Sequence, residues 1–304
     1  MMLFDTHAHF DTFAAEGRVA EVLARARAAG VARICAVGSS EASNELVVQL
    51  AQEHPAQLVA AVGYDRDQTD KPRDPARLAA LAQAPGVVAI GEIGLDYYYS
   101  AETAPAQREL FGAMLAGAAA ARKPVIVHSR YADEDTIAML GEFSTVWKKL
   151  FHTVEKNAET FPHCGKNAPD FSTPWKKVFH SVENLPPAAD APPPPPPGVL
   201  HCFTGDAAFA AELVALGFMI SFSGIVSFNN AGPLREVARQ IPAGQLLVET
   251  DCPYLTPKPF RGKVNEPAYV ARVAEVVAEA RGVPVAAVAE QTWANACRLF
   301  QMEG

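Results

Sequence analysis

A chain of 304 residues with 49% hydrophobic content and a formal net charge of −8 is globular, and its acidic balance argues against a broad basic groove holding nucleic acid by charge alone. No apolar run approaches the ~20 residues of a membrane span, and no charged start leads into an apolar segment, so a soluble cytoplasmic protein with no membrane attachment is expected. Five cysteines, Cys35, Cys164, Cys202, Cys252 and Cys297, are odd in number and form no C-x-x-C pair, which argues against a disulfide framework and for a reducing compartment.

Short Val/Ile/Leu-rich runs of strand length alternate along the chain with Ala-rich segments of helical spacing, such as 19–29 and 268–281. The first run, 3–9, carries His7 and His9; residues two apart on a strand face the same way, so these imidazoles project together and can share one metal. Runs at 32–37 and 58–63 follow, then 87–92, ending on Glu92, and 124–128, ending on His128. After a long interval come 198–202, holding His201, then 218–222, and finally 246–251, closing on Asp251. Eight such units predict an α/β protein built as a TIM-type (β/α)8 barrel, whose site lies at the C-terminal ends of the strands. All six candidate ligands fall there.

One histidine at a strand end is more often a packed or capping residue than a ligand. Six ionisable groups at strand ends are another matter, because buried charges without partners are costly and do not accumulate on one face by chance. Four His and two carboxylates without thiolates suit two divalent ions of Mg, Mn or Zn. Two metals about 3.5–4 Å apart can clamp both the attacking and the leaving oxygen of a displacement, so hydrolysis is the expected reaction class.

Between His128 and His201 the composition shifts: Lys, Phe, Asn and Pro replace the Ala/Val/Leu background over 143–197. The stretch 143–155, F-S-T-V-W-K-K-L-F-H-T-V-E, recurs at 171–183 as F-S-T-P-W-K-K-V-F-H-S-V-E, and the segment ends in six prolines, Pro192 to Pro197. Two copies are too few for a solenoid, and the prolines favour an extended polyproline II linker. The segment therefore reads as a flexible low-complexity insertion in a single hydrolase domain spanning 1–304. It falls between the fifth helix and the sixth strand, on the face opposite the site, where a long loop costs little. Deleting 143–197 is then expected to leave metal content and catalysis intact. Its His152, His163, Cys164 and His180 lack tight zinc-type spacing, and Trp147, Trp175 and the prolines offer partner binding as the alternative role. No obligate protein partner is evident.

The ordered motifs D-T-H-A-H-F at 5–10, G-E-I-G-L-D-Y-Y at 91–98, H-S-R at 128–130, H-C-F-T-G at 201–205 and E-T-D-C-P-Y at 249–254 resemble those of the TatD-like metal-dependent hydrolases, relatives of the amidohydrolase superfamily. R-G-K-V-N-E-P at 261–267 and a terminal Thr292, Asn295, Leu299, Phe300 pattern also match, so the likeness covers everything except the insert. It implies a TIM-type barrel with metal-dependent phosphodiesterase activity, commonly a deoxyribonuclease acting on DNA ends as an exonuclease, with RNA or small phosphoesters as further substrates. It also implies that His7, His9, Glu92 and Asp251 hold one metal and Glu92, His128 and His201 the other, Glu92 bridging.

On this reading Asp251 and Glu92 are the catalytic carboxylates, Asp251 taking the proton from the attacking water. Arg130, Arg261 and Lys263 are candidates for holding the phosphate, Glu249 for orienting a ligand from behind, and Tyr97, Tyr98 and Tyr99 for stacking on a base. Asn229 stands where the family often carries a lysine, which leaves the substrate more open. Two other readings stand beside this one. A C–N hydrolase of amidohydrolase type is disfavoured by Glu92 standing where many such enzymes carry a carboxylated lysine, and a non-catalytic metal-binding scaffold would bind metal without turnover.

Overall fold

The computed structural model of the chain describes residues 1–152 and 193–303. Eight strands, β1 (Leu3–Ala8), β2 (Val31–Val37), β3 (Leu58–Val62), β4 (Val87–Asp96), β5 (Val125–Arg130), β6 (Gly198–Leu200), β7 (Met219–Phe222) and β8 (Leu246–Val248), pair in parallel in chain order. The ring is drawn together across its seam by a bridge between Ala8 and Cys252, with Asp251 N donating to His7 O (3.0 Å) and His9 N to Cys252 O (2.8 Å). Helices alternate with the strands, giving the TIM-type barrel that the spacing of apolar runs led one to expect.

Side-chain alternation explains two nested cores. Val59 and Ala61 of β3, Cys35 and Val37 of β2, and Ile126 of β5 fill the barrel interior, whereas Leu58, Ala60 and Val62 point outward to the helices. The helices start and stop where the sequence supplies chemistry: α3 (Glu41–Glu53) has a capping box of Ser40 and Ser43, and α4 (Pro75–Ala82) is capped by Asp74 with proline in its first turn. Helices α1 (Asp11–Ala15), α2 (Val19–Ala28), α5 (Tyr97–Ser100), α6 (Ala104–Ala121), α7 (Asp133–His152), α8 (Ala207–Leu216), α9 (Gly232–Gln240), α10 (Val270–Arg281) and α11 (Val285–Leu299) complete the described set. The last closes the floor: Phe300 and Trp293 pack on Phe4 at 5.5 and 5.9 Å, and Asn295 Nδ2 donates to the carbonyls of Ala243 and Leu246 at the entry to β8.

Two features differ from the sequence reading. Strand β4 continues through Asp96, so Glu92 lies inside it rather than at its end. Gly94 makes that continuation feasible, with φ +146° and with a backbone carbonyl of β5, that of His128, where a Cβ would sit. The block expected as an insertion at 143–197 also divides differently. Residues of its first repeat belong to α7, and Phe143, Val146, Trp147 and Leu150 are buried in the outer core. Their i, i+3, i+4, i+7 spacing is that of a helix face turned to a core. Trp147 Nε1 donates to Pro195 O at 2.7 Å, Pro196 and Pro197 are buried, and Val125 N donates to Pro197 O, so the end of the proline run is anchored rather than free. The second repeat, with Trp175, His163, Cys164 and His180, lies outside the described residues. No helix among the described residues is long and apolar enough to cross a membrane.

Candidate metal centre

The barrel mouth gathers the six expected ligands from five strands. His7 on β1 is fully buried, and its Nε2 lies 3.1 Å from His9 Nε2. His9 Nδ1 is held 3.2 Å from the carbonyl of Val37; with the proton on Nδ1 the Nε2 lone pair is left facing the centre. Glu92 stands between two pairs of imidazoles. Its Oε2 is 3.5 Å from His7 Nε2 and 3.4 Å from His9 Nε2, while its Oε1 is 3.4 Å from His128 Nδ1 and 3.2 Å from His201 Nε2. Asp251 lies beyond the end of β8 with φ +56°, and its Oδ1 sits 3.7 and 3.6 Å from the Nε2 atoms of His7 and His9.

His201, His128 and the turn that carries Asp251 are held from behind. Glu249 Oε1 is 3.3 Å from His201 Nδ1 and accepts the backbone N–H of Cys202 at 2.6 Å, as expected of a group that positions rather than binds. Asp96 Oδ2 lies 3.2 Å from His128 Nε2. Asp5 accepts from Thr250 N and Oγ1 at 2.8 and 2.6 Å, tying β1 to the turn that carries Asp251; burial pushes its carboxyl well above the usual range, and these hydrogen bonds oppose that shift.

The electrostatics are those of a site built around positive charge. Burial opposes ionisation of Glu92, yet His201, His7 and His9 hold it well below the ordinary carboxylate range. Burial likewise works against a charged His201, but Glu92 and Glu249 push it up to about 10. His7 is lowered by burial and by the neighbouring His201, and His128 chiefly by burial. The residues fit divalent cations on geometric grounds. Three sets, His7/His9/Glu92, His7/His201/Asp251 and Glu92/His128/His201, bring their ligand atoms within 4.8 Å of one another. Within this cluster His201 Nε2 is buried and makes no hydrogen bond.

A sequence profile of the TatD related DNase family matches residues 4–301. The chain belongs to that family. Among relatives of this TatD-family chain, a metal-dependent hydrolase of Bacillus subtilis, YabD, is 35% identical over 99% of the chain and 100% of its own length. YcfH of Escherichia coli, also a metal-dependent hydrolase, is 38% identical over 100% of the chain and 97% of its own. A protein of Enterobacter lignolyticus named a 3'-5' ssDNA/RNA exonuclease is 34% identical, covering 92% of the chain and 91% of that relative. In solved structures, the TatD homologue YJJV of Escherichia coli superposes with a TM-score of 0.78 at 26% identity, over 99% of this chain and 98% of that one.

Above the centre of this TatD-family barrel opens a cavity of about 990 Å³ whose wall includes Arg66, Arg130, Tyr131 and Tyr254. Of the three cations expected to meet substrate, only Arg130 lines it. Arg261 lies over the ring of Phe228 at 4.4 Å and donates to the carbonyl of Thr256, and Lys263 lies 5.9 Å from the centre of the Phe260 ring. Asn229 does not leave its neighbourhood without a cation, because its side-chain oxygen accepts from Lys258 Nζ. Two residues that contact the cluster escaped the sequence reading. Asp96 was hidden by ending β4 at Glu92. Arg66, just past β3, donates from Nη1 to Glu92 Oε1 at 2.9 Å and pairs with Asp65; its only signal in sequence is its place after a strand, and loop arginines are common.

Proposed function

We propose that the chain is a divalent-metal-dependent phosphodiesterase, a deoxyribonuclease that removes nucleotides from single-stranded ends of DNA and accepts RNA or smaller phosphoesters. The observation that carries this reading is the division of Glu92, one oxygen beside His7 and His9 and the other beside His128 and His201. That division suits two cations of Mg, Mn or Zn bridged by one carboxylate, with Asp251 joining the His7/His9 side. When bound, such a pair lowers the pKa of a water and neutralises the charge that builds on phosphorus.

The chain's own residues supply the rest. Asp251 presents its carboxylate to the cavity and takes the proton of the attacking water. Glu92 keeps the two ligand pairs in register. Arg130 and Arg66 place guanidinium charge on the cavity wall, where the extra negative charge of the transition state develops. The named activity of the Enterobacter relative supports a nucleic-acid substrate. Among the described residues no lysine lines the cavity, which leaves a C–N hydrolase without the carboxylated bridge used by many such enzymes.

The test is release of nucleotides from end-labelled single-stranded DNA with Mn or Mg, comparing wild type, metal-stripped protein and Asp251→Asn. Release that needs metal and falls about 10²–10⁴-fold in the variant is expected. Release undiminished in both controls, or none from the loaded wild type on any phosphodiester, would overturn the reading.

A further inference from the structure

Beside the centre stands an aromatic surface that the hydrolytic machinery does not use. Tyr98, Tyr99 and Tyr131 are 53%, 70% and 74% exposed, while most large apolar side chains are buried. They are not scattered. The Tyr98 ring lies 5.3 Å from Tyr131 and 4.8 Å from Tyr99, and the Arg130 guanidinium sits over both Tyr98 (4.0 Å) and Tyr99 (4.7 Å). Arg130 and Tyr131 line the cavity, so the surface runs into the site. Tyr97 is not part of it: its hydroxyl donates to Asp135 Oδ2 at 2.6 Å and its ring packs on the core.

The cluster is held rather than hanging. Asp96 pairs in register with Arg130 across β4 and β5. Its Oδ1 accepts the N–H groups of Tyr98 and Tyr99 at 2.9 and 3.2 Å, while its Oδ2 faces His128 Nε2. One buried carboxylate thus fixes a metal-ligand imidazole and the backbone of two exposed tyrosines. Buried Gln107 clamps the same turn, donating to the carbonyls of Asp96 and Ser100 and accepting from Asp96 N. Tyr131 is set in the left-handed region, φ +56°, which directs the chain sharply after β5. Rings held in water at a fixed place beside a reaction centre have a cost that a flat apolar partner would remove.

We infer that Tyr98, Tyr99 and Tyr131, with Arg130, form a stacking platform for an unpaired nucleobase adjoining the phosphate that is cleaved. This rests on the phosphodiesterase reading and deepens it. A ring face backed by a guanidinium matches a base face of any sequence, with Arg130 supplying charge for the neighbouring phosphate. Inside a duplex both faces of a base are covered, and at a blunt end the outer face is free but the base stays tied to its partner, so a single strand or a frayed end is what lets a base swing onto the platform. The platform therefore selects for unpaired ends without reading their sequence.

The Mn-loaded protein is mixed by stopped flow with a single-stranded oligonucleotide carrying 2-aminopurine at its end, and the fluorescence is read before turnover. Hydrolysis is then compared between this end and an abasic one. Wild type should quench the reporter and prefer the base-bearing end by about five- to a hundred-fold in kcat/KM. Tyr98→Ala/Tyr131→Ala should lose both quench and preference, with the loss in KM rather than kcat. Tyr98→Phe/Tyr131→Phe should retain both, since the ring face and not the hydroxyl does the stacking. A double alanine variant that still quenches and still prefers the base, or a phenylalanine pair that has lost both, overturns the platform. Metal-dependent release without quench or preference overturns it too and leaves the hydrolase standing, whereas quench without release overturns the hydrolase and, with it, the platform's place beside a cleaved phosphate.

Discussion

Glu92 illustrates how a single side chain can organise a centre. Its charge is buried, which is costly, and it is retained because four imidazoles and a guanidinium surround it. Glu92→Gln preserves the volume and removes the charge, so metal content measured by elemental analysis should fall by at least about one ion per chain. Arg66 adds a direct hydrogen bond to the imidazoles that steady Glu92 when no cation does. Arg66→Ala should lower the stability of metal-stripped protein by about 1–2 kcal/mol in urea unfolding, and the deficit should shrink once metal is restored. An equal deficit in both states would show that Arg66 acts only as packing. His7 and His9 were legible in the sequence because a two-residue period fixes the face of a strand whatever surrounds it. Asp96 was not, because the apolar run pauses at Gly91 and Glu92 and the strand continues beyond that pause.

Helix α7 carries the chief lesson at the level of elements. Its change of composition at Phe143 suggested foreign material, yet Phe143, Val146, Trp147 and Leu150 repeat at the interval of a buried helical face. That periodicity was available in the sequence, and composition overrode it. Deleting 143–197 should therefore abolish soluble folded protein, contrary to the expectation from composition, because it removes core side chains and the strap at Pro195 to Pro197 that leads into β6. Trp147→Ala alone should cost about 3–5 kcal/mol, read as a lower urea midpoint, with part of that cost coming from the carbonyl of Pro195 left without its donor. The eight strands, by contrast, were legible in number and in where each begins, though not in where β4 and β8 end, since apolar runs buried on both faces have no other use in an alternating α/β chain.

Across the whole molecule, the first and last strands meet at a seam held by few main-chain bonds, and both sides of it give candidate ligands: His7 and His9 from the end of β1, Asp251 from the turn after β8. Cations bound there would tie the barrel shut. At a free metal concentration of about a hundred times Kd, binding at one site contributes about 2.7 kcal/mol, which for a domain of this size raises Tm by about 4 °C. Chelation should reverse that shift in a thermal melt, and Asp251→Asn should reduce it; a Tm indifferent to metal would mean that the ligands do not span the seam. The same arrangement governs when the protein can begin to work during its synthesis. Of the six residues, His7 is synthesised first and Asp251 last, so a nascent chain that has not reached Asp251 carries the other five and no complete centre. A hydrolase assembled in this way stays inert until its last strand has emerged, and a stalled or truncated product should have no cutting activity of its own.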